Sequence, residues 1–177
     1  MKLHIGCGKK FLPGYKHIDI MEYPHIDYVA AADNLHMIDD DSVEEIYACH
    51  VLEHFGRLEY GNVLKEWHRV LKSGGAIIIA VPNFDAIVEH YDNNKDLSVL
   101  IGLLYGGQNY KYNYHYMTFN FALLSDTLKN IGFDDIKTYK WEEFLPEEFD
   151  DYSKSYLPHM DFDNGKLMSL NIIARKV

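Results

Sequence analysis

The sequence predicts an α/β protein, a mainly parallel sheet with helices packed on its faces. Two observations carry that expectation. Short aliphatic runs recur along the chain, and the most continuous, Ala76 to Val81, reads as a strand covered on both faces. Just before it lies an amphipathic helix, in which Tyr60, Val63, Leu64, Trp67, Val70 and Leu71 recur at steps of three and four opposite Lys65, Glu66, Arg69 and Lys72. A helix leading into a buried strand is the order from which layered parallel sheets are built.

Taken in order, Lys2 to Ile5, Lys16 to Ile20 and Ile26 to Ala31 read as the first three strands. Val43 to Cys49 reads as the fourth, after an Asp39-Asp40-Asp41-Ser42 turn. The amphipathic helix follows and is expected to end at Gly74-Gly75, because glycine accepts the positive φ of a helix terminus. Pro82 stops the next strand. Ala86 to Tyr91 and Leu97 to Tyr105 read as short helices, the second ended by Gly106-Gly107. Phe119 to Asn130 reads as a longer helix with Gly132 behind it, Ile136 to Trp141 as a strand, and Ser169 to Ala174 as a final central strand. Residues 1–177 are expected to form a single domain, since a chain of this length buries about 70% of its unfolded surface.

The formal net charge of -10 argues against a sequence-independent grip on nucleic acid, which needs clustered cations facing phosphates. No apolar run approaches the roughly 20 residues that span a bilayer, and no basic-then-apolar leader opens the chain. A cytoplasmic protein without a membrane partner, monomeric or homodimeric, is therefore expected. Cys7 and Cys49 read as free thiols at strand ends. Between Glu142 and Asp163 acidic residues far outnumber the single Lys154, and this run reads as a solvated connector.

The most informative residues are His4-Ile5-Gly6-Cys7-Gly8 and the acid that closes the next apolar run, Asp19. A strand ending in Gly-x-Gly lets backbone pass close to a ligand. A carboxylate at the tip of the neighbouring strand can accept both hydroxyl hydrogens of a ribose. The third glycine of a dinucleotide fingerprint is absent, its place taken by Phe11, and Pro13-Gly14 argues against a long first helix. With little to hold a diphosphate, NAD and FAD are disfavoured. S-adenosylmethionine is the common nucleoside cofactor that remains.

With these pieces in place, the sequence resembles class I S-adenosylmethionine-dependent methyltransferases, in particular the small bacterial type with a shortened first crossover. The resemblance rests on Leu3 to Gly8, Leu12 to Ile20, Asp33-Asn34-Leu35, Tyr47 to His54, Glu66 to Gly75 and Val81-Pro82-Asn83, in that order. Gly132-Phe133 is similar to the family's late helix-to-strand junction. The resemblance implies a three-layer Rossmann-like sheet with an antiparallel final strand, its first helix short or absent. It implies that Gly6, Cys7 and Gly8 face the methionine portion and ribose, and that Asp19, followed by Ile20, holds the ribose hydroxyls. Asp33 and Asn34 would lie at the adenine, with Leu35 packed against its ring, and His50 beside the amino-acid portion or the transferred methyl. Residues 85–118 and 142–167 would be substrate-side insertions.

Methyl transfer to a small-molecule acceptor, on oxygen or nitrogen, is the expected reaction, with sugars or glycan precursors as an acceptor class by family analogy. Alignment supplies most of the acceleration, and a base is needed if the acceptor is a hydroxyl. The candidates are His50, His54 and His115. The alternative is a non-catalytic methyltransferase-like domain that holds the donor, or has lost it, and serves as an interaction surface. His50-Val51-Leu52-Glu53-His54 also matches the H-x-x-E-H pattern of a zinc peptidase class. A strand leading straight into His50 argues against that chelate, which needs both histidines inside one helix, so no metal is expected. The tyrosine-rich stretch from Tyr105 to Tyr116 suits a surface that meets a planar or sugar-like acceptor.

Overall fold

The computed structural model describes residues 1–177. Its strands are β1 (Lys2–Ile5), β2 (Lys16–Asp19), β3 (Tyr28–Val29), β4 (Val43–Cys49), β5 (Leu71–Pro82), β6 (Phe133–Thr138), β7 (Tyr156–Leu157), β8 (Lys166–Leu167) and β9 (Ser169–Lys176). The helices are α1 (Tyr60–Val70), α2 (Phe84–Asn94), α3 (Ile101–Tyr105) and α4 (Phe121–Ile131). Seven strands form one sheet in the order β3-β2-β1-β4-β5-β9-β6. All run parallel except β9, which lies antiparallel between β5 and β6. The mainly parallel α/β architecture with its antiparallel final strand is the predicted one.

The two faces of the sheet are covered differently. On one, Leu3, Ile5, Ile46, Ala48, Ile77, Ile79 and Val81 pack against Val63, Leu64, Trp67 and Val70 of α1 and Leu124 and Leu128 of α4. Trp67 is fully buried, and its indole N–H donates to the Ala32 carbonyl at 2.8 Å. On the other face no long helix follows β1. Pro13 and Gly14, the latter at φ +86°, turn the chain within the ten residues (9–18) that separate Gly8 from Asp19, and Leu12 plugs the space. Leu12 joins Tyr47, Ile78, Ile173, Tyr139, Leu145 and Phe149 in a smaller cluster.

The acidic run is therefore more than a solvated connector. Leu145 and Phe149 close the second face, and Ser153 and Lys154 are buried. Asp151 accepts from the Tyr47 hydroxyl at 2.5 Å, while Asn171 donates to the Ser153 carbonyl at 3.0 Å. The Lys154 ammonium lies 4.3 Å from the Trp141 ring centre. Most of the run's acidic side chains face solvent, while Leu145 and Phe149 turn inward.

Several boundaries differ from the expected ones. The amphipathic helix stops at Val70, because Leu71 already pairs with Val43 in the sheet, and Gly74-Gly75 lies inside β5. The third strand shrinks to two residues, and the sixth begins at Phe133 rather than Ile136. The stretch read as a helix from Leu97 is helical only over Ile101–Tyr105, whereas α2 is longer than expected.

His4 and His17 share the helix-free face with Tyr47 and Phe149, their imidazoles 5.5 Å apart. His4 Nδ1 has no partner, and burial, assisted by the nearby His17 and His25, lowers its pKa to about 3. The unfolded chain takes up this proton near pH 6.5, but the folded one does so only near 3. The neutral fold is therefore favoured above pH 6.5, and that contribution is lost as pH falls toward 3, by about 1.4 kcal/mol per pH unit. Urea unfolding at pH 6.5 and 5 should show about 2 kcal/mol less pH sensitivity in His4→Phe than in the parent. Equal sensitivity in the two proteins would reject this placement.

Candidate active site

The strand order reverses between β1 and β4, so the loops after these strands diverge and leave a crevice at the sheet's carboxyl edge. The loop after β1 contains two glycines with positive φ, +65° at Gly6 and +54° at Gly8, and they serve different purposes. A Cβ on Gly6 would collide with Val51 Cγ2, so that glycine makes room for protein. A Cβ on Gly8 would meet nothing within 4 Å, so only this glycine leaves open space for a ligand. Cys7 is buried, and burial followed by the nearby Asp19 carboxylate pushes its thiol up to about 12, which leaves it unreactive.

Asp19 ends β2 and is 9% exposed. Its Oδ2 accepts from the Gly8 N–H at 2.7 Å and its Oδ1 from the Met21 N–H at 2.8 Å. These two bonds fix the carboxylate plane and tie the glycine loop to the second strand. A carboxylate has about four acceptor positions, so roughly two remain for hydroxyl donors. Ile20 and Met21 present apolar side chains beside it, 39% and 42% exposed.

Asp33 and Asn34 are exposed in a turn beyond β3, held near β2 through the Ala30 N–H bond to the Asp19 carbonyl at 2.9 Å. Leu35 must be corrected. It is fully buried in the main core and offers no face to an adenine ring. Its N–H donates to Glu66 Oε1 at 2.8 Å and its carbonyl accepts from Arg69 Nη2 at 3.0 Å, which pins it against α1.

His50 follows β4 at φ +53°, its N–H donating to the Ala80 carbonyl at 2.8 Å. Its Nε2 is buried without a partner, and its ring lies 5.2 Å from that of Tyr152. Its Nδ1 stands 3.1 Å from Glu53 Oε1, near enough for attraction but off the line of a hydrogen bond. His50 and His54 do not share a helix: only Leu52–His54 forms a single helical turn. The peptidase-like chelate is thus not built. His54 instead meets His115, their rings 4.9 Å apart edge to face. Burial pushes the His115 imidazole below its ordinary range.

The sequence reading did not place Glu53 at the centre of the three histidines, although the H-x-x-E-H spacing carried the signal. Burial and then the Asp19 carboxylate raise the Tyr110 hydroxyl, which sets the tyrosine-rich segment beside the crevice. Two other concavities lie away from it. One, of about 300 Å³, includes Glu89 and Lys166, whose charges pair at 2.6 Å, and the other, of about 200 Å³, is an apolar groove between α2 and Leu97–Leu104. Neither faces the switch point, where the crevice is placed by topology and by Asp19.

A family model described as a methyltransferase domain matches residues 13–79. No curated protein matches in sequence. Among solved structures, an S-adenosylmethionine-dependent methyltransferase from Archaeoglobus fulgidus is similar at TM-score 0.59 and 18% identity, covering 99% of this chain and 85% of that one. A 1,6-didemethyltoxoflavin-N1-methyltransferase from Burkholderia thailandensis, solved with S-adenosylhomocysteine, is similar at 0.58 and 17%, covering 99% and 70%. A third, an S-adenosylmethionine-dependent methyltransferase from Thermotoga maritima, gives 0.57 and 20%, covering 99% and 82%. The family match covers residues 13–79, and over the rest of the chain the sheet has the fold of these methyltransferase structures. No helix is long and apolar enough to cross a membrane.

Proposed function

We infer that the protein methylates an oxygen or nitrogen of a small-molecule acceptor, with sugars and glycan precursors as the acceptor class. The carrying observation is the Asp19 carboxylate, buried at the switch point and oriented by the Gly8 and Met21 N–H groups. When bound, S-adenosylmethionine supplies an electrophilic methyl on a sulfonium. The remaining work falls to the chain. Asp19 would hold the ribose hydroxyls, Gly8 would let backbone approach the donor, and Ile20, Asp33 and Asn34 would flank its base. Backbone of Gly6 and Cys7 would complete the loop.

Among the three histidines, His50 is best suited to take the acceptor's proton. Its Nε2 is buried and unpartnered, and Glu53 beside Nδ1 would stabilise the imidazolium. His54 and His115 would act from the acceptor's side. Residues 85–118 and 142–167 would form the acceptor walls of a single domain, with Tyr110 and Tyr152 at the rim. A cytoplasmic location, and a monomer or homodimer, go with this reading.

Calorimetric titration with S-adenosylhomocysteine is the primary test, and absence of binding at high micromolar concentration overturns the reading. Turnover on hydroxyl and amine acceptors then separates a catalyst from a domain that only holds the donor. His50→Gln should lower turnover on hydroxyl acceptors about 100-fold, the usual worth of a positioned base, while leaving product affinity within about twofold. Unchanged turnover removes His50 from the proton path.

A further inference from the structure

Glu53, His54 and His115 turn three acceptor groups toward one another with no donor among them. Glu53 is fully buried, and neither of its carboxylate oxygens has an aligned hydrogen-bond donor. His54 Nδ1 lies 3.0 Å from the Tyr114 carbonyl, and His115 Nδ1 lies 2.9 Å from the Leu103 carbonyl. A carbonyl oxygen only accepts, so each Nδ1 carries the proton and each Nε2 keeps its lone pair. His115 Nε2 stands 3.9 Å from Glu53 Oε1, too far for a hydrogen bond. One ligand atom from each of the three residues lies within 4.8 Å of the others.

We propose that these residues form a binding site for a borderline divalent cation of the zinc type. Two imidazole nitrogens and one carboxylate are a donor set that zinc takes in sites with an open coordination position. Anchoring the far ring nitrogen on a backbone carbonyl is how ligating histidines are oriented. Ligand atoms around a tetrahedral ion with bonds of about 2.0–2.1 Å stand roughly 3.3 Å apart. The His115–Glu53 pair, at 3.9 Å, therefore needs to close by about 0.6 Å and the widest pair of the group, within 4.8 Å, by up to about 1.5 Å, which side-chain torsions supply. His50 Nδ1, 3.1 Å from Glu53 Oε1, is near enough to attract the same carboxylate.

The site joins the turn after β4 to the segment before α4, whose Tyr116 and Met117 N–H groups both bond the Glu53 carbonyl, at 2.8 and 3.2 Å. It therefore sits next to His50, at the crevice. Resting on the methyl-transfer reading, the ion's open position would bind the acceptor's hydroxyl oxygen, which narrows the acceptor to an alcohol or phenol. The full chain is titrated with Zn²⁺ by calorimetry and with Co²⁺ by visible absorption, and S-adenosylhomocysteine binding is measured separately. The expected result is one equivalent of ion per chain and cobalt bands of low coordination number. Affinity should fall more than about tenfold in His54→Gln, at a half-buried position, and in His115→Gln. No uptake by the parent protein at millimolar ion, or uptake unchanged in both variants, overturns the site. Ion binding without S-adenosylhomocysteine binding would keep the site and remove the methyl-transfer reading. The converse would do the reverse.

Discussion

Asp19→Ala is expected to weaken S-adenosylhomocysteine binding by about 100-fold. Two hydroxyl hydrogen bonds to a carboxylate are worth about 1.5 kcal/mol each at the low end, or about 3 kcal/mol together. At about 1.4 kcal/mol per decade that is roughly two decades of affinity. The variant also frees the Gly8 and Met21 N–H groups that Asp19 now holds at 2.7 and 2.8 Å. Asp19→Asn is no gentle substitute, because its NH₂ would have to face one of those two N–H groups. Calorimetry on variants that retain the parent circular dichroism is the measurement. An unchanged affinity would falsify the ribose assignment.

Trp67→Ala is expected to cost about 3–5 kcal/mol of stability, the range for removing a fully buried aromatic ring. Total stability of such domains is about 5–15 kcal/mol, so a large part of it rides on this residue. Trp67 fills the space between α1 and the sheet, and its N–H satisfies the Ala32 carbonyl in the loop after β3. Trp67→Phe keeps most of the volume but strands that carbonyl, and should cost about 1–3 kcal/mol. Urea unfolding distinguishes the two. A loss below about 1 kcal/mol for the alanine variant would mean that α1 is not held by this contact.

The parts of the fold legible in the sequence were those with local causes. Ala76 to Val81 is aliphatic throughout because both faces are covered, and the α1 stripe repeats at the helical period. The helix end was not legible, because Leu71 fits both the helical stripe and the strand that follows. Only its pairing with Val43 decides the matter. The true start of the sixth strand at Phe133 was not legible, because Asp134-Asp135 has little strand propensity. In the structure Asp135 adopts φ +49° within the strand, at an irregularity opposite β9. In the acidic run, Leu145 and Phe149 are too few and too irregularly spaced to announce a buried face. Of the site, the glycine loop and Asp19 are neighbours across paired strands and could be placed from motif alone. Glu53 and His115 are 62 positions apart and meet only through the finished fold. Leu35 was misplaced because its motif position says nothing of the Glu66–Arg69 clamp that draws it inward.

The irregular stretch that roofs the second face ends in Tyr152, against the ring of His50. One piece of chain thus serves as keel and as gunwale: Phe149 grips the sheet, and three positions on the backbone reaches the rim. Occupancy of the crevice and firmness of that roof become a single equilibrium. A ligand resting on Tyr152 would slow amide exchange at Leu145 and Phe149, deep on the far side of the sheet, without touching either.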